Sequence, residues 1–173
     1  GAFESITKVA LSGTADSDSG EEYAVAQLLV KHENASLVYT LSFDKNLALD
    51  NHVQIKFEEI TSVFENDISG NAGIIKEGSG ILILSGKNTY TGENVINGGE
   101  LRVTGEVASQ VKINNGGIFT TDGGTVANNV INNSGNFRNI GNGGVITGDY
   151  TADSNSVLEN ELGADLRING RVF

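Results

Sequence analysis

Three matching phrases recur at equal steps in the second half of the chain, and this repetition restricts the fold more than any other feature. Gly98-Gly99 precedes Leu101, Gly116-Gly117 precedes Phe119, and Ser134-Gly135 precedes Phe137, each 18 residues after the last. A looser copy, Asn155-Ser156-Val157-Leu158, follows after 21. Ile113-Asn114-Asn115-Gly116-Gly117-Ile118-Phe119 over Ile131-Asn132-Asn133-Ser134-Gly135-Asn136-Phe137 is the closest match. Between the phrases lie short apolar runs with two-residue alternation, cut by Gly, Asn, Ser and Thr. That is a strand-turn rhythm with no room for a helix. A repeat of roughly twenty residues made of short strands and turns is a solenoid signature. One coil cannot bury its own apolar face. Stacked coils pair strand to strand at roughly 4.8 Å, and equivalent side chains then stand above one another. Leu101, Phe119, Phe137 and Leu158 are therefore expected to form one interior stack, with Gly and Asn at the bends. The leucine-rich-repeat frame and the G-G-x-G-x-D runs of calcium-binding nonapeptide solenoids are both absent.

Composition agrees with a thin core. The 173 residues include 23 Gly, no Trp, no Met, no Pro and few aromatics. A solenoid manages with Val, Ile and Leu, because each coil buries only a strip against its neighbours. With no Met, the chain reads as an excised piece of a longer protein, and Gly1-Ala2 as a cloning remnant. Net charge is -11, and the basic residues are scattered singly. Nucleic acid, which needs a basic footprint, is excluded, as are anionic membrane surfaces. No apolar run reaches the roughly 18 residues of a transmembrane helix. The absence of Cys removes disulfides, thiolate metal sites and cysteine nucleophiles.

Composition shifts near residue 64, dividing the chain into 1–63, of irregular β coils or a small β cap, and 64–173, of regular solenoid. In the first part Ile6 to Leu11, Leu37 to Phe43 and Val53 to Ile60 alternate as strands. Glu21 to Lys31 is ambiguous: Ser19 and Glu22 form a capping box that favours a helix, whereas the neighbouring strands favour a strand.

The richest stretch is 73–103, GIIKEGSGILILSGKNTYTGENVINGGELRV. It resembles the passenger-associated repeat of bacterial autotransporters, of general form K-x-G-x-G-x-L-x-L-S-G-x-N-T-Y-T-G. Lys76, Gly78, Gly80, Leu82, Leu84, Ser85, Gly86, Asn88, Thr89, Tyr90, Thr91, Gly92, Asn97, Gly98, Gly99, Leu101 and Val103 fall on the pattern. Ile146 to Thr151, Ser156 to Glu159 and Asp165 to Gly170 also look like sequence of that family. The resemblance implies an all-β, right-handed parallel β-helix with about three strands per coil, exported through the periplasm to the Gram-negative cell surface or beyond. It implies as partners the passenger's own C-terminal β-barrel translocator and the outer-membrane assembly machinery, with a host-cell or matrix ligand as a further option, and no cofactor. Phe64-Glu65-Asn66-Asp67-Ile68-Ser69-Gly70 is similar to the sequence that follows the catalytic domain in subtilisin-like autotransporter proteases.

No catalytic constellation stands out. His32 and His52 read as solvated loop residues, and no nucleophile-elbow or G-D-S-G pattern offers a serine to them. Asp16, Asp18, Glu21 and Glu22 form an acidic loop in which Asp16 and Asp18 are a weak cation candidate. An EF-hand is ruled out, because Gly20 falls where the third ligand belongs and Gln27 where the closing Glu does. Glu58 and Glu59 are adjacent on a strand and point to opposite faces. Gly98-Gly99 and Gly143-Gly144 lack the Lys-Ser/Thr of a phosphate loop. Tyr90 reads as a packing residue. Arg102, Arg138 and Arg167 stand singly, which argues against a polyuronate lyase. Three functions remain: a non-catalytic stem that spaces a head from the outer membrane and aids vectorial folding, an adhesin surface, or the stem of a parent serine protease with its catalytic domain upstream.

Overall fold

A computed structural model describes residues 63–65, 67–70 and 73–173 in full. Before them it describes only strand segments: Ala15–Ser17, Gln27–Glu33, Ser36–Ser42, Ala48–Leu49, Val53–Lys56 and Thr61–Phe64. The described chain is all strand and turn, without a helix, and its regular part is a parallel β-solenoid.

Each coil lays one strand on each of three faces. The longest face stacks Ile81–Leu84, Gly99–Val103, Gly117–Thr121, Asn136–Asn139 and Val157–Asn160. A second carries Ile74–Glu77, Asn94–Ile96, Val111–Ile113, Val130–Asn132 and Tyr150–Ala152. The third carries Lys87–Asn88, Glu106–Val107, Gly124–Val126, Gly144–Ile146 and Leu166–Ile168. All these neighbours pair in parallel. Two-residue alternation sends every other side chain inward. On the longest face the register runs Leu82, Leu101, Phe119, Phe137, Leu158, in steps of 19, 18, 18 and 21 residues by subtraction of their numbers.

Leu82, Leu101, Phe119 and Phe137 are fully buried. Phe119 and Phe137 meet edge to face with centroids 5.3 Å apart, and Phe137 meets Tyr150 in the same way at 5.6 Å. Such pairs add about 0.5–1.5 kcal/mol each beyond their buried area. Leu158 holds the same register, on the last strand of the described sheet, and is 46% exposed.

Parallel pairing breaks only at the opposite edge of the described sheets. Gln27–Glu33 and Ser36–Ser42 form an antiparallel hairpin, whose second strand pairs in parallel with Thr61–Phe64. Ala15–Ser17 runs antiparallel to Val53–Lys56. Of the two readings of Glu21 to Lys31, the described part, Gln27 onward, is strand. His32 is opposite Leu37 within that hairpin, and Asp16 is opposite Gln54 in a strand. Both were expected in loops, and strand pairing has absorbed them. Ile6 to Leu11, Asp18, His52, Glu58 and Glu59 lie outside the described residues.

Candidate functional site: the stapled repeat corner

The positions that match the repeat meet around the bends of two successive coils. Alternation puts Lys76 on the inner side of Ile74–Glu77, where a charged residue is not expected, and it is fully buried. Its ammonium donates to the carbonyls of Glu77 (2.6 Å), Gly78 (3.5 Å) and Gly98 (3.4 Å). It thereby ties the corner of its own coil to the corner of the next. Burial holds its pKa down to about 8, while the carboxylates of Glu100 and Glu77 act in the opposite direction. The glycines are what admit it. Gly78 and Gly99 have φ of 74° and 61°, a region that L side chains enter at a cost of about 1–2 kcal/mol. A β-carbon on Gly99 would lie 2.4 Å from Gly80 O and 2.6 Å from the Lys76 ammonium.

Asn88 performs the same task at the next corner. Its Oδ1 accepts from Ile68 N at 2.9 Å, and its Nδ2 donates to Gly86 O and Glu106 O at 3.3 Å. One buried amide thus links three coils and satisfies backbone groups that the bend leaves unpaired. Tyr90 is fully buried, and its hydroxyl donates to Asn94 Oδ1. Asn94 Nδ2 passes the chain on to Ser109 Oγ at 3.0 Å and Gln110 O at 3.3 Å. Burial drives the Tyr90 pKa far above the ordinary phenol range, so the ring is a permanent donor. Leu82, Leu84, Leu101 and Val103 fill the space between these fittings. Asn97 lies outside, accepting from Asn114 Nδ2 at 2.8 Å.

A second polar set lies on the outer side of the longest face. Arg102 Nε donates to Glu100 at 2.7 Å, and Arg138 reaches back over one rung to the same carboxylate at 3.3 Å. Arg138 also pairs with Glu159 at 3.3 Å. Arg102 and Arg138 are therefore not the isolated cations expected from the sequence. Two-residue alternation and two 18-residue steps put them two rungs apart, one on either side of Thr120. Thr120 is fully buried beneath them, and its hydroxyl has no partner. Arg167 is on the third face, away from this pair.

Inside the later coils the core turns polar. Thr121 Oγ1 donates to Asn139 Oδ1 at 2.6 Å, and Asn139 Nδ2 donates to Asn160 Oδ1 at 2.7 Å. Lys76, Asn88 and Asn139 escaped the sequence reading as interior polar groups. The available signal was a Lys or Asn at a position where the alternation calls for an apolar residue. Chemically these groups are already spent on one another and on backbone. Among the described residues, no three His, Cys, Asp or Glu converge as metal ligands. Of the candidate pair, Asp16 is in a described strand and Asp18 lies outside the described residues.

Comparison with known proteins agrees with this geometry. Residues 74–103 match the model of the passenger-associated-transport-repeat. The chain is 45% identical over 60 residues to an extracellular serine protease of Serratia marcescens, covering 35% of this chain and 6% of that protein. It is 42% identical over 65 residues to the Neisserial autotransporter lipoprotein NalP of Neisseria meningitidis serogroup B, covering 38% and 6%. To the adhesin BmaC autotransporter of Brucella suis biovar 1 it is 32% identical over 96 residues, covering 53% and 3%. The chain thus spans only a few per cent of the length of these relatives. With the matched repeat built into a parallel stack, the chain is a β-solenoid that carries a passenger-associated-transport-repeat and is similar to short stretches of these bacterial proteins.

Proposed function

We propose that this segment is a non-catalytic stem, a rigid β-solenoid that spaces a functional head from the outer membrane and supports stepwise folding during export. The observation that carries this reading is that its buried Lys and Asn side chains are engaged within the stack. The buried Lys76, Asn88, Asn94, Asn132 and Asn139 all hydrogen-bond within the coil stack. None of these five side chains is left free to bind or activate a substrate. Each strand pairs only with its neighbours in the stack, so residues 64–173 can grow one rung at a time. On this reading the segment acts at the cell surface or outside the cell, with its own C-terminal β-barrel and the outer-membrane assembly machinery as partners. It needs no cofactor or metal.

A parent serine protease with its catalytic domain upstream is the favoured context, because the Serratia marcescens relative is described as an extracellular serine protease. Labelling with a fluorophosphonate tests both parts. The expected result is a labelled full-length parent and an unlabelled segment. A labelled segment would overturn the non-catalytic reading. The adhesin alternative rests on the likeness to BmaC. Saturable binding of the segment to cells or matrix, lost on changing outward residues of one face, would establish it in place of the stem.

A further inference from the structure

The chain contains four Asn-Gly steps, at Asn97, Asn115, Asn142 and Asn169, and all four asparagines are exposed. An Asn-Gly step is open to spontaneous deamidation, because glycine has no β-carbon to shield its backbone nitrogen. Exposure does not separate the four, but the hydrogen bonds around them do.

At Asn142 the following amide is engaged: Gly143 N donates to Ile140 O at 2.9 Å, and Asn142 itself donates from both N and Nδ2 to Asp122 Oδ1. Around Gly143 the backbone is tight, with Asp165 O 2.1 Å from a would-be β-carbon. At Asn169 the following Gly170 N donates to Gly148 O at 3.0 Å. At Asn97 the side chain is held by Asn114, its N–H donates to Lys76 O, and Gly98 O accepts from the Lys76 ammonium. Asn115 differs from all three. Gly117 N donates to Asn114 O at 2.9 Å, and Gly116 sits at φ 90°, the arrangement of a type II turn, which leaves the third amide pointing outward. Among the hydrogen bonds of the described residues, none takes up Gly116 N or the Asn115 side chain. The nearest atom to a would-be β-carbon on Gly116 is 3.4 Å away.

We propose that Asn115 is the site of a spontaneous modification of this segment: cyclisation with Gly116 and hydrolysis to aspartate and isoaspartate. Gly116 N attacks Asn115 Cγ and forms a C–N bond. Asn115 Nδ2 leaves as ammonia, carrying away the proton of the Gly116 amide. Water then opens the succinimide at either carbonyl. The net change is amide plus water to carboxylic acid plus ammonia, with no oxidant or enzyme. The attack requires rotation about the Asn115 backbone, and the one Gly117-to-Asn114 hydrogen bond resists it. The product places a new negative charge beside the external Asn97-Asn114-Asn133 row. In the isoaspartyl form it also lengthens the main chain just before the strand that carries Phe119.

The test is incubation of the intact chain at mildly alkaline pH, followed by fragmentation mass spectrometry that scores each Asn-Gly step over time. The expected order is Asn115 first, then Asn97, with Asn142 and Asn169 last. Each hydrogen bond that must open beforehand slows a site by about fivefold. Asn115→Gln removes the fast product and leaves melting unchanged, since the side chain is exposed and makes no hydrogen bond among the described residues. Equal rates at all four steps, faster conversion at Asn142 or Asn169, or an unmodified Asn115 would overturn the proposal.

Discussion

The coil that holds the repeat and the last coil of the stack solve one geometric problem with different interiors. In the first, Leu82, Leu84, Tyr90, Ile96, Leu101 and Val103 are closed off from solvent, and polar groups appear only at the corners, as Lys76, Asn88 and Asn94. Over the later coils the column that begins with Leu84 and Val103 becomes Thr121, Asn139 and Asn160, and in the last of them Leu158 is about half exposed. Backbone register is unchanged across that transition. The lesson is that strand pairing and corner chemistry propagate the coil, whereas the interior decides how firmly each rung is held. This matches the additive, nearest-neighbour energetics of solenoids.

The largest effect expected from this difference comes from a charge placed at equivalent positions in the two environments. Phe137→Asp puts an unpaired carboxylate between Phe119 and Tyr150 and should cost about 4–5 kcal/mol or more. Leu158→Asp, one rung on, should cost about 1 kcal/mol or less, because the position is already wet. Thermal melting followed by circular dichroism compares the two. Similar shifts for both would show that the rung at Phe137 is not closed.

Glycines give the next contrast. Gly99→Ala combines a positive φ with backbone oxygens 2.4 and 2.5 Å from the new carbon, so the Lys76 corner must come apart. A loss of about 3 kcal/mol or more is expected. Gly163 has a φ of 88° but nothing within 4 Å, so Gly163→Ala carries only the conformational term of about 1–2 kcal/mol. Equal melting shifts for both would mean that the Lys76 corner gives way without cost.

How much of this was legible follows from what each signal measures. The 18-residue recurrence of Gly-Gly before Leu101 and Phe119 is a backbone signal, and the register follows it rung by rung. The buried Lys76 was legible only as a matched letter of a motif. Its role depends on three carbonyls brought together by two different bends, which no local pattern encodes. Arg102 and Arg138 looked isolated because they are 36 residues apart by number. Two steps of the solenoid put them on one outer column, with Glu100 between their reaches. Leu158 follows the expected register and is half exposed, since alternation reports which way a side chain points and not how much of it is covered.

Removing the Lys76 staple separates corner chemistry from core filling. Lys76→Met keeps the volume and leaves three carbonyls without their donor, at a cost of about 2–3 kcal/mol near neutrality. The pH profile carries the sign. Burial lowers the folded-state pKa from 10.5 to about 8, so between those values the unfolded chain binds more protons than the folded one. Stability from this group therefore rises as pH climbs through that window. The native chain should gain on Lys76→Met from about pH 8 upward in urea titrations. A constant gap would mean that the ammonium is not the buried species.

Ser134 offers the smallest and most balanced test. It is the one described non-glycine residue at positive φ, 61°, and it occupies the place that Gly116 holds one coil earlier. Two groups of the last corner hold it there. Ser156 Oγ accepts its N–H at 3.1 Å, and its own hydroxyl donates to Asp153 at 2.7 Å. Ser134→Gly relieves backbone strain of about 1–2 kcal/mol, keeps the N–H bond and gives up the hydroxyl bond, so net stability at neutral pH should move by about 1 kcal/mol or less. The hydroxyls of Ser134 and Ser156 hold the Asp153 carboxyl below its usual range. A depressed carboxylate contributes stability above its unfolded pKa and loses it as pH falls through the folded one. The hydroxyl bond is thus lost in acid while the strain stays, so the variant should gain on the native chain as the pH drops below the carboxylate range. If the difference between the two chains instead stays flat across that range, the Ser134–Asp153 bond contributes nothing, and strain at the bend is the whole of what separates serine from glycine there.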